Sequence, residues 1–180
     1  TELLKKSGYA SISIDHFALK DAAMCTAARN GKLHRNFMGY TTTQSKLIIA
    51  LGASSIGDAW NAFVQNEKTV EAYQERVMNE GLPIVNGHLL NEEDVTIRRL
   101  ILDLMCKGSC ELPSQKMSGA FFNKAIKQLK KLEDDDLVKL DGYRISVTEK
   151  GNSFIRNICS CLDAKLMGQE KSVNTFSKAI

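Results

Sequence analysis

The sequence predicts an α/β segment followed by a small α+β module, and three stretches carry that reading. LIIAL (Leu47 to Leu51) is apolar on both faces, as in a parallel strand covered by helices, and it runs into the small-residue loop GASSIGD. NEEDVTIRRLILDLM, from Asn91, joins a helix-start signature to an apolar stripe of helical period. LVKLDGYRISV alternates like a β-hairpin around an Asp-Gly pair. Composition fits ordinary globular material, with 180 residues, 43% hydrophobic and 25% charged.

From the start of the chain, TELLKKSGY reads as the last turns of a helix, with Lys5 and Lys6 at its negative end and Gly8 at the cap; the rest of that helix would lie outside the chain. In YASISIDHF, Ala10, Ile12 and Ile14 alternate at the period of a strand. ALKDAAMCTAARNG suits a short helix ending at Gly31. LIIAL then puts GASSIGD at the carboxyl end of a parallel strand, where α/β sheets and barrels hold ligands. One helix end, two strands and their connectors amount to the last part of such a sheet. WNAFVQNEKTVEAYQERVMNEG reads as helical to about Asn79 and stopped by Gly81, and LPIVNGHLL as an extended link between two domains, 1–82 and 83–180.

In the second domain Asn91 is the N-cap, Glu92, Glu93 and Asp94 fill the positive first turn, and Leu90 can staple onto Val95. Ile97, Leu100, Ile101, Leu104 and Met105 form the buried stripe. A second helix from Ser118 to Leu132 buries Phe122, Ile126 and Leu129. After the hairpin, with Asp141-Gly142 as a type I′ turn, Thr148 caps a closing helix that buries Phe154, Ile155, Ile158 and Leu162. Helices, a hairpin and a helix make a winged-helix-like α+β unit.

Several function classes fall away. A net charge of +3 is too weak to imply nucleic acid, and no apolar run reaches the length of a membrane span. Lys124, Lys127 and Lys131 lie on one face of the second helix, where phosphate contacts would sit, but the acidic run Glu133 to Asp136 beside them would repel a phosphate backbone. No secretory signal is read at the start, so the five cysteines are expected to be cytoplasmic thiols rather than disulfides. CKGSCELP supplies Cys106 and Cys110 at the first two positions of a CxxxCxxC iron–sulfur loop, but Pro113 stands at the third and cannot ligate iron. Cys159 and Cys161, two apart on a helix, point to different faces. His16, His34 and His88 have no second ligand at a metal spacing and read as structural. No nucleophile elbow, phosphate loop or HExxH is present.

The motifs reach further. Asp15-His16-Phe17-Ala18 and Leu33-His34-Arg35-Asn36-Phe37-Met38-Gly39-Tyr40-Thr41-Thr42 closely resemble the DHFA and LHRNFxGYTT motifs of the oxygen-independent coproporphyrinogen III oxidase family, radical-SAM enzymes of heme synthesis. The resemblance continues through Leu51 to Ile56, Ile97-Arg98-Arg99, Leu104-Met105-Cys106 and Arg156 to Cys159, and covers nearly the whole chain. It implies that residues 1–82 are the closing strands of an incomplete parallel β/α barrel and that 83–180 are a helical domain covering its open side. It implies an oxidative decarboxylation of two propionates of coproporphyrinogen III to the vinyls of protoporphyrinogen IX by 5′-deoxyadenosyl radical chemistry. S-adenosylmethionine, a [4Fe–4S] cluster and an electron donor would serve the intact enzyme. The cluster loop would lie in an amino-terminal part outside this chain, which alone would be inactive and hold no catalytic residue. Ile56, Phe37 and Met38 match positions at the S-adenosylmethionine pocket, although the family more often has Gln at Met38. The reading that competes with it is a free-standing module binding nucleic acid, or binding porphyrin or heme through the aromatic loop.

Overall fold

The opening residues Glu2–Lys6 form a helical turn (α1) that hands over at Gly8 to a first strand. A computed structural model of the chain describes residues 2–13, 15–113 and 119–163. The alternation predicted through Ile12 stops early. Tyr9–Ser11 (β1) turns back and pairs antiparallel with Phe17–Leu19 (β2), Ala10 opposite Ala18; Ile14 lies outside the described residues. Helix α2 (Ala23–Arg29) buries Cys25 and Ala27. A tight hairpin follows, His34–Asn36 (β3) against Gly39–Thr41 (β4), with Phe37 and Met38 at its tip.

The run Leu47 to Leu51 is not a parallel strand. Ile48 makes a single antiparallel bridge to Asp58, while Leu47, Ile49 and Leu51 face outward. Among the described residues every strand pair is antiparallel. The run is apolar on both faces, as the sequence indicates, but only one face is covered.

Trp60 to Asn66 is likewise not helical. The Asp58 carboxylate accepts the Trp60 N–H at 2.9 Å, and Trp60 takes a positive φ of 63°, so the chain reverses. Ile56–Asp58 (β5) and Ala62–Asn66 (β6) then pair, which suits the aromatic and β-branched Phe63 and Val64 better than a helix does. Helix α3 occupies only Val70–Glu80, capped by Thr69 and stopped at Gly81. The extended stretch read as a domain link is a third strand, Ile84–Leu89 (β7), paired along β6. The break at 82/83 therefore falls just before a strand that belongs to the preceding sheet.

From Asn91 onward the fold follows its sequence signals closely. The Asn91 side chain accepts the Asp94 N–H at 2.8 Å while the Asp94 carboxylate accepts the Asn91 N–H, a reciprocal capping box that starts α4 (Glu92–Lys107). Gly108, at φ 69°, ends the helix in the left-handed conformation that other residues resist. Ser109–Glu111 (β8), α5 (Gly119–Asp134), Val138–Asp141 (β9) and Arg144–Val147 (β10) follow, with sheet order β8-β10-β9. The hairpin loop is shifted by one residue from the expected turn. Asp141 pairs with Arg144, so Gly142 and Tyr143 form the loop, and the positive φ sits at its first position alone, the pattern of a II′ rather than a I′ turn.

Thr148 Oγ1 accepts the Gly151 N–H at 2.9 Å just ahead of the 3-10 turn Gly151–Phe154, which precedes α6 (Ile155–Ser160); Thr148 is the N-cap of neither, those positions being Lys150 and Phe154. Ile97, Leu100, Leu104, Phe121, Leu129, Ile145, Ile155, Ile158 and Leu162 close one apolar core between these helices and the sheet. Two expectations change. Phe121 rather than Phe122 is the more deeply buried aromatic of α5, and Phe154 is exposed. Ser118 lies outside the described residues.

Candidate functional site

The β3–β4 hairpin leans its tip over the β5-β6-β7 sheet, and α4 runs beneath both. Phe37 meets Phe63 edge to face, with ring centroids 5.1 Å apart. Phe63 lies opposite Asp58 on one side and His88 on the other, and Ile56 lies opposite Gln65. Cross-strand partners share a face, as do residues two apart, so Ile56, Asp58, Phe63 and His88 face the same side, the side on which Phe37 rests. A cleft of about 500 Å³ opens there. Phe37 and Phe63 form an aromatic wall and Ile97, Ile101 and Met105 of α4 an apolar floor. Arg35, Asp58, Asp94 and Arg98 bring charge to it. Its size and its mix of apolar walls with a few polar groups are those of a small-molecule site.

The expected residues are placed unevenly around it. Phe37 is 57% exposed and lines the cleft; Met38, 91% exposed, lies beside it at the hairpin tip, where its backbone N–H donates to the Asn36 side chain at 2.8 Å. Ile56 is half-buried on the cleft side of the sheet but lies beyond the cleft's lining residues.

The strongest polar element is one that the sequence reading did not assemble. Arg98 of α4 donates through both terminal nitrogens to the two oxygens of Asp58, at 2.9 and 2.5 Å, and also to the Trp60 carbonyl at 2.9 Å. Its guanidinium lies 4.5 Å from the Trp60 ring centre and 4.8 Å from that of Phe63. Both charged groups are almost fully buried, so the pair is a clamp between the sheet and α4. Arg98 was visible in the IRR motif, but its partner lay forty residues upstream, in a stretch read as loop and helix. Next to the clamp, burial first and then the Arg98 charge push the His34 imidazole below its usual pKa.

The hairpin is held from behind as well. The Tyr40 hydroxyl lies 2.8 Å from Ser13 Oγ and 3.2 Å from the Met105 carbonyl. His16 meets the Tyr40 ring edge-on and bonds to Asp15 through Nδ1 at 2.7 Å. That bond is the main cause of the lowered Asp15 pKa.

The cysteines are free thiols, all buried except Cys106, which is partly buried. Burial pushes Cys106 up to about 11 and Cys110 and Cys159 up to about 12, far from the thiolate that a metal requires. Cys159 and Cys161 are both buried although two apart, because the chain leaves the helix at Cys161. Among the described residues no three His, Cys, Asp or Glu side chains are grouped to hold a metal ion. Nor does any described helix have the length and apolarity to cross a membrane.

No family model matches the chain. It is similar to oxygen-independent coproporphyrinogen III oxidases of Synechocystis, at 36% identity over 186 residues, and of Escherichia coli, at 36% over 182 residues, each match covering 98% of this chain. The corresponding protein of Thermostichus vulcanus is 37% identical over an alignment of 186 positions that covers 99% of this chain. This chain spans 40% of the length of the first two and 56% of the third. Among solved structures it is similar to coproporphyrinogen III oxidase (HemN) from Escherichia coli, described as a radical SAM enzyme, with a TM-score of 0.83 and 34% identity. That match covers 92% of this chain and 39% of the other.

Proposed function

Starting from the chain's homology to oxygen-independent coproporphyrinogen III oxidases, we propose that it forms part of a radical-SAM enzyme that oxidatively decarboxylates two propionates of coproporphyrinogen III to vinyls in the cytoplasm. The observation that carries this reading is the position of the LHRNFMGYTT hairpin: the motif on which the resemblance chiefly rests supplies Arg35, Asn36 and Phe37 to the cleft over α4. A free-standing module binding nucleic acid, porphyrin or heme is not favoured, since relatives named as coproporphyrinogen III oxidases match 98% of this chain.

In this reading a [4Fe–4S] cluster and S-adenosylmethionine, when bound, supply the radical chemistry. The thiols of this chain do not fit the cluster in this reading, because four of the five are buried and Pro113 stands where the third thiolate of the loop would be, so its ligands would come from residues outside these 180. The chain's own contribution is the walls. Phe37, Met38 and Ile56 provide apolar surface for the adenosyl group, and the aromatic and aliphatic lining keeps water and stray hydrogen donors from a radical. Among the described residues every ladder is antiparallel, so no pair of strands in residues 2–90 has the parallel ladder of a β/α barrel, and a helical, winged-helix-like unit begins at Asn91.

The test uses the full-length enzyme, reconstituted anaerobically with cluster. Wild type should release carbon dioxide and form 5′-deoxyadenosine and protoporphyrinogen IX from coproporphyrinogen III. Ile56→Asp should retain cluster and fold yet fail to bind S-adenosylmethionine, since a carboxylate in an apolar wall is left unpaired or protonated. An Ile56→Asp enzyme that cleaves S-adenosylmethionine at the wild-type rate would remove Ile56 from the site.

A further inference from the structure

The cleft contains two guanidinium groups, and they are held differently. Arg98 is matched by Asp58 and the Trp60 carbonyl. Arg35 is different. It lies on β3 opposite Tyr40, with its guanidinium carbon 5.4 Å from that ring's centre, and its Nε is buried without a hydrogen-bond partner. It is the buried side-chain nitrogen or oxygen among the described residues for which no partner is found.

A buried donor left unsatisfied is rare and unfavourable, and a guanidinium has its Nε–H and one terminal N–H side by side on one edge, in the spacing of a carboxylate's two oxygens. Arg35 also stands where the main cleft meets a smaller cavity of about 250 Å³ that includes Met105 and Cys159. Asp163 lines both spaces without reaching Nε. The same charge acts on Tyr40, Cys106 and Cys159, which locates the guanidinium among groups of low polarity. We propose that the Nε edge of Arg35 binds a carboxylate of the ligand that enters the cleft, and so anchors the ligand against the aromatic wall of Phe37 and Phe63.

Arg35 is here a binding residue whose role rests on the proposed function for the nature of its ligand. Two carboxylates have that chemistry: a propionate of the tetrapyrrole and the amino-acid carboxylate of S-adenosylmethionine. Arg35→Lys retains the charge and most of the stem but lacks the side-on pair of donors; Arg35→Met lacks both. Full-length, cluster-bearing enzyme is titrated with coproporphyrin III, an air-stable probe bearing four propionates, with its tetramethyl ester, and with S-adenosylmethionine.

Arg35→Met should weaken one acid ligand about 10–100-fold, Arg35→Lys should weaken it by a smaller factor, and the other ligand should stay within about twofold of wild type. Weakened coproporphyrin III with an indifferent ester assigns the propionate. Weakened S-adenosylmethionine assigns the amino acid. If wild type ignores coproporphyrin III yet binds S-adenosylmethionine through Arg35, the functional reading fails while the carboxylate site stands. Folded Lys and Met variants that bind both acids as wild type does overturn the inference. Should the Met variant fail to fold, the Lys variant alone decides.

Discussion

Residues 92–163 and residues 2–91 are stabilised in different ways. The later part closes its own apolar core, to which α4, α5, α6 and the β8-β10-β9 sheet all contribute. The earlier part is built of hairpins and short helices, buries a few side chains, and among those includes His34, Asp58 and Asn66. Leu47, Ile49, Leu51, Met78 and Leu89 remain outside. Polar clamps do there what apolar packing does later: the Asn66 amide ties the Ala50 and Gly52 carbonyls, Arg76 joins Glu67, Glu80 and the Ile84 carbonyl, and Arg98 reaches back to Asp58. The difference teaches where a site can be put. The cleft lies at the seam, with α4 for its floor and the β3–β4 hairpin and the β5-β6-β7 sheet for its walls.

If the seam depends on the clamp, Arg98→Met should produce the largest loss of stability, about 3–5 kcal/mol, because Asp58 is then buried without its partner. Replacing both residues with apolar ones should recover part of that loss. Denaturant unfolding of the two single variants and the double variant checks this, and a double variant no better than Arg98→Met would show that the pair does not act as a unit.

Core substitutions come next. Leu104 and Leu129 are almost completely buried, so truncating either to Ala should cost about 2–5 kcal/mol. Leu51→Ala, at an 82% exposed position, should stay within about 0.5 kcal/mol. Equal losses at Leu51 and Leu104 would mean that the earlier part has an apolar core of its own.

The same contrast decides what could be read from the sequence. Where local signals and burial agree, as at Asn91 and the α4 stripe, the elements appear where they were expected. Where an apolar run stays uncovered, as in LIIAL, its composition misleads, because a strand apolar on both faces and a loop crossing a sheet edge look alike. Trp60 to Asn66 was misread for another reason: the reversal depends on a positive φ at Trp60, a conformation that a large side chain seldom takes and that no local pattern announces. Of the three residues that the resemblance pointed to, Phe37 lines the cleft, Met38 lies beside it and Ile56 lies beyond its lining, while Arg35 of the same motif was not singled out. The Arg98–Asp58 pair joins positions forty residues apart, and no periodicity encodes such a contact.

Alkaline pH gives a third, smaller effect confined to the later part. Cys110 and Cys159 stay protonated in the fold until about pH 12, whereas unfolded thiols ionise near 8.5. Above that lower value the unfolded state holds fewer protons than the folded one, so stability falls as pH rises from about 8.5 towards 12. Below it the contribution is fully present. Cys110→Ala with Cys159→Ala should flatten this slope, as measured by unfolding at pH 7 and pH 10, and an unchanged slope would assign the alkaline loss to other groups.

The smallest effect separates the two parts most finely. Asn91 and Thr69 both cap helices, Asn91 in a reciprocal box with a 2.8 Å bond and Thr69 through a single 3.3 Å bond. Either cap replaced by Ala should cost its helix about 0.5–2 kcal/mol, with Thr69 at the lower end. The losses should be read out differently. Helix α4 contributes Ile97, Leu100 and Leu104 to the core, so its fraying is coupled to global unfolding, and Asn91→Ala should lower the whole transition. Helix α3 buries none of its residues and can open while the core stays closed. Thr69→Ala should therefore speed amide hydrogen exchange over Val70–Glu80 and leave the denaturation midpoint almost unmoved. If Thr69→Ala shifts the midpoint as far as Asn91→Ala does, α3 is part of the same cooperative unit as α4, and the division of the molecule at Asn91 is wrong.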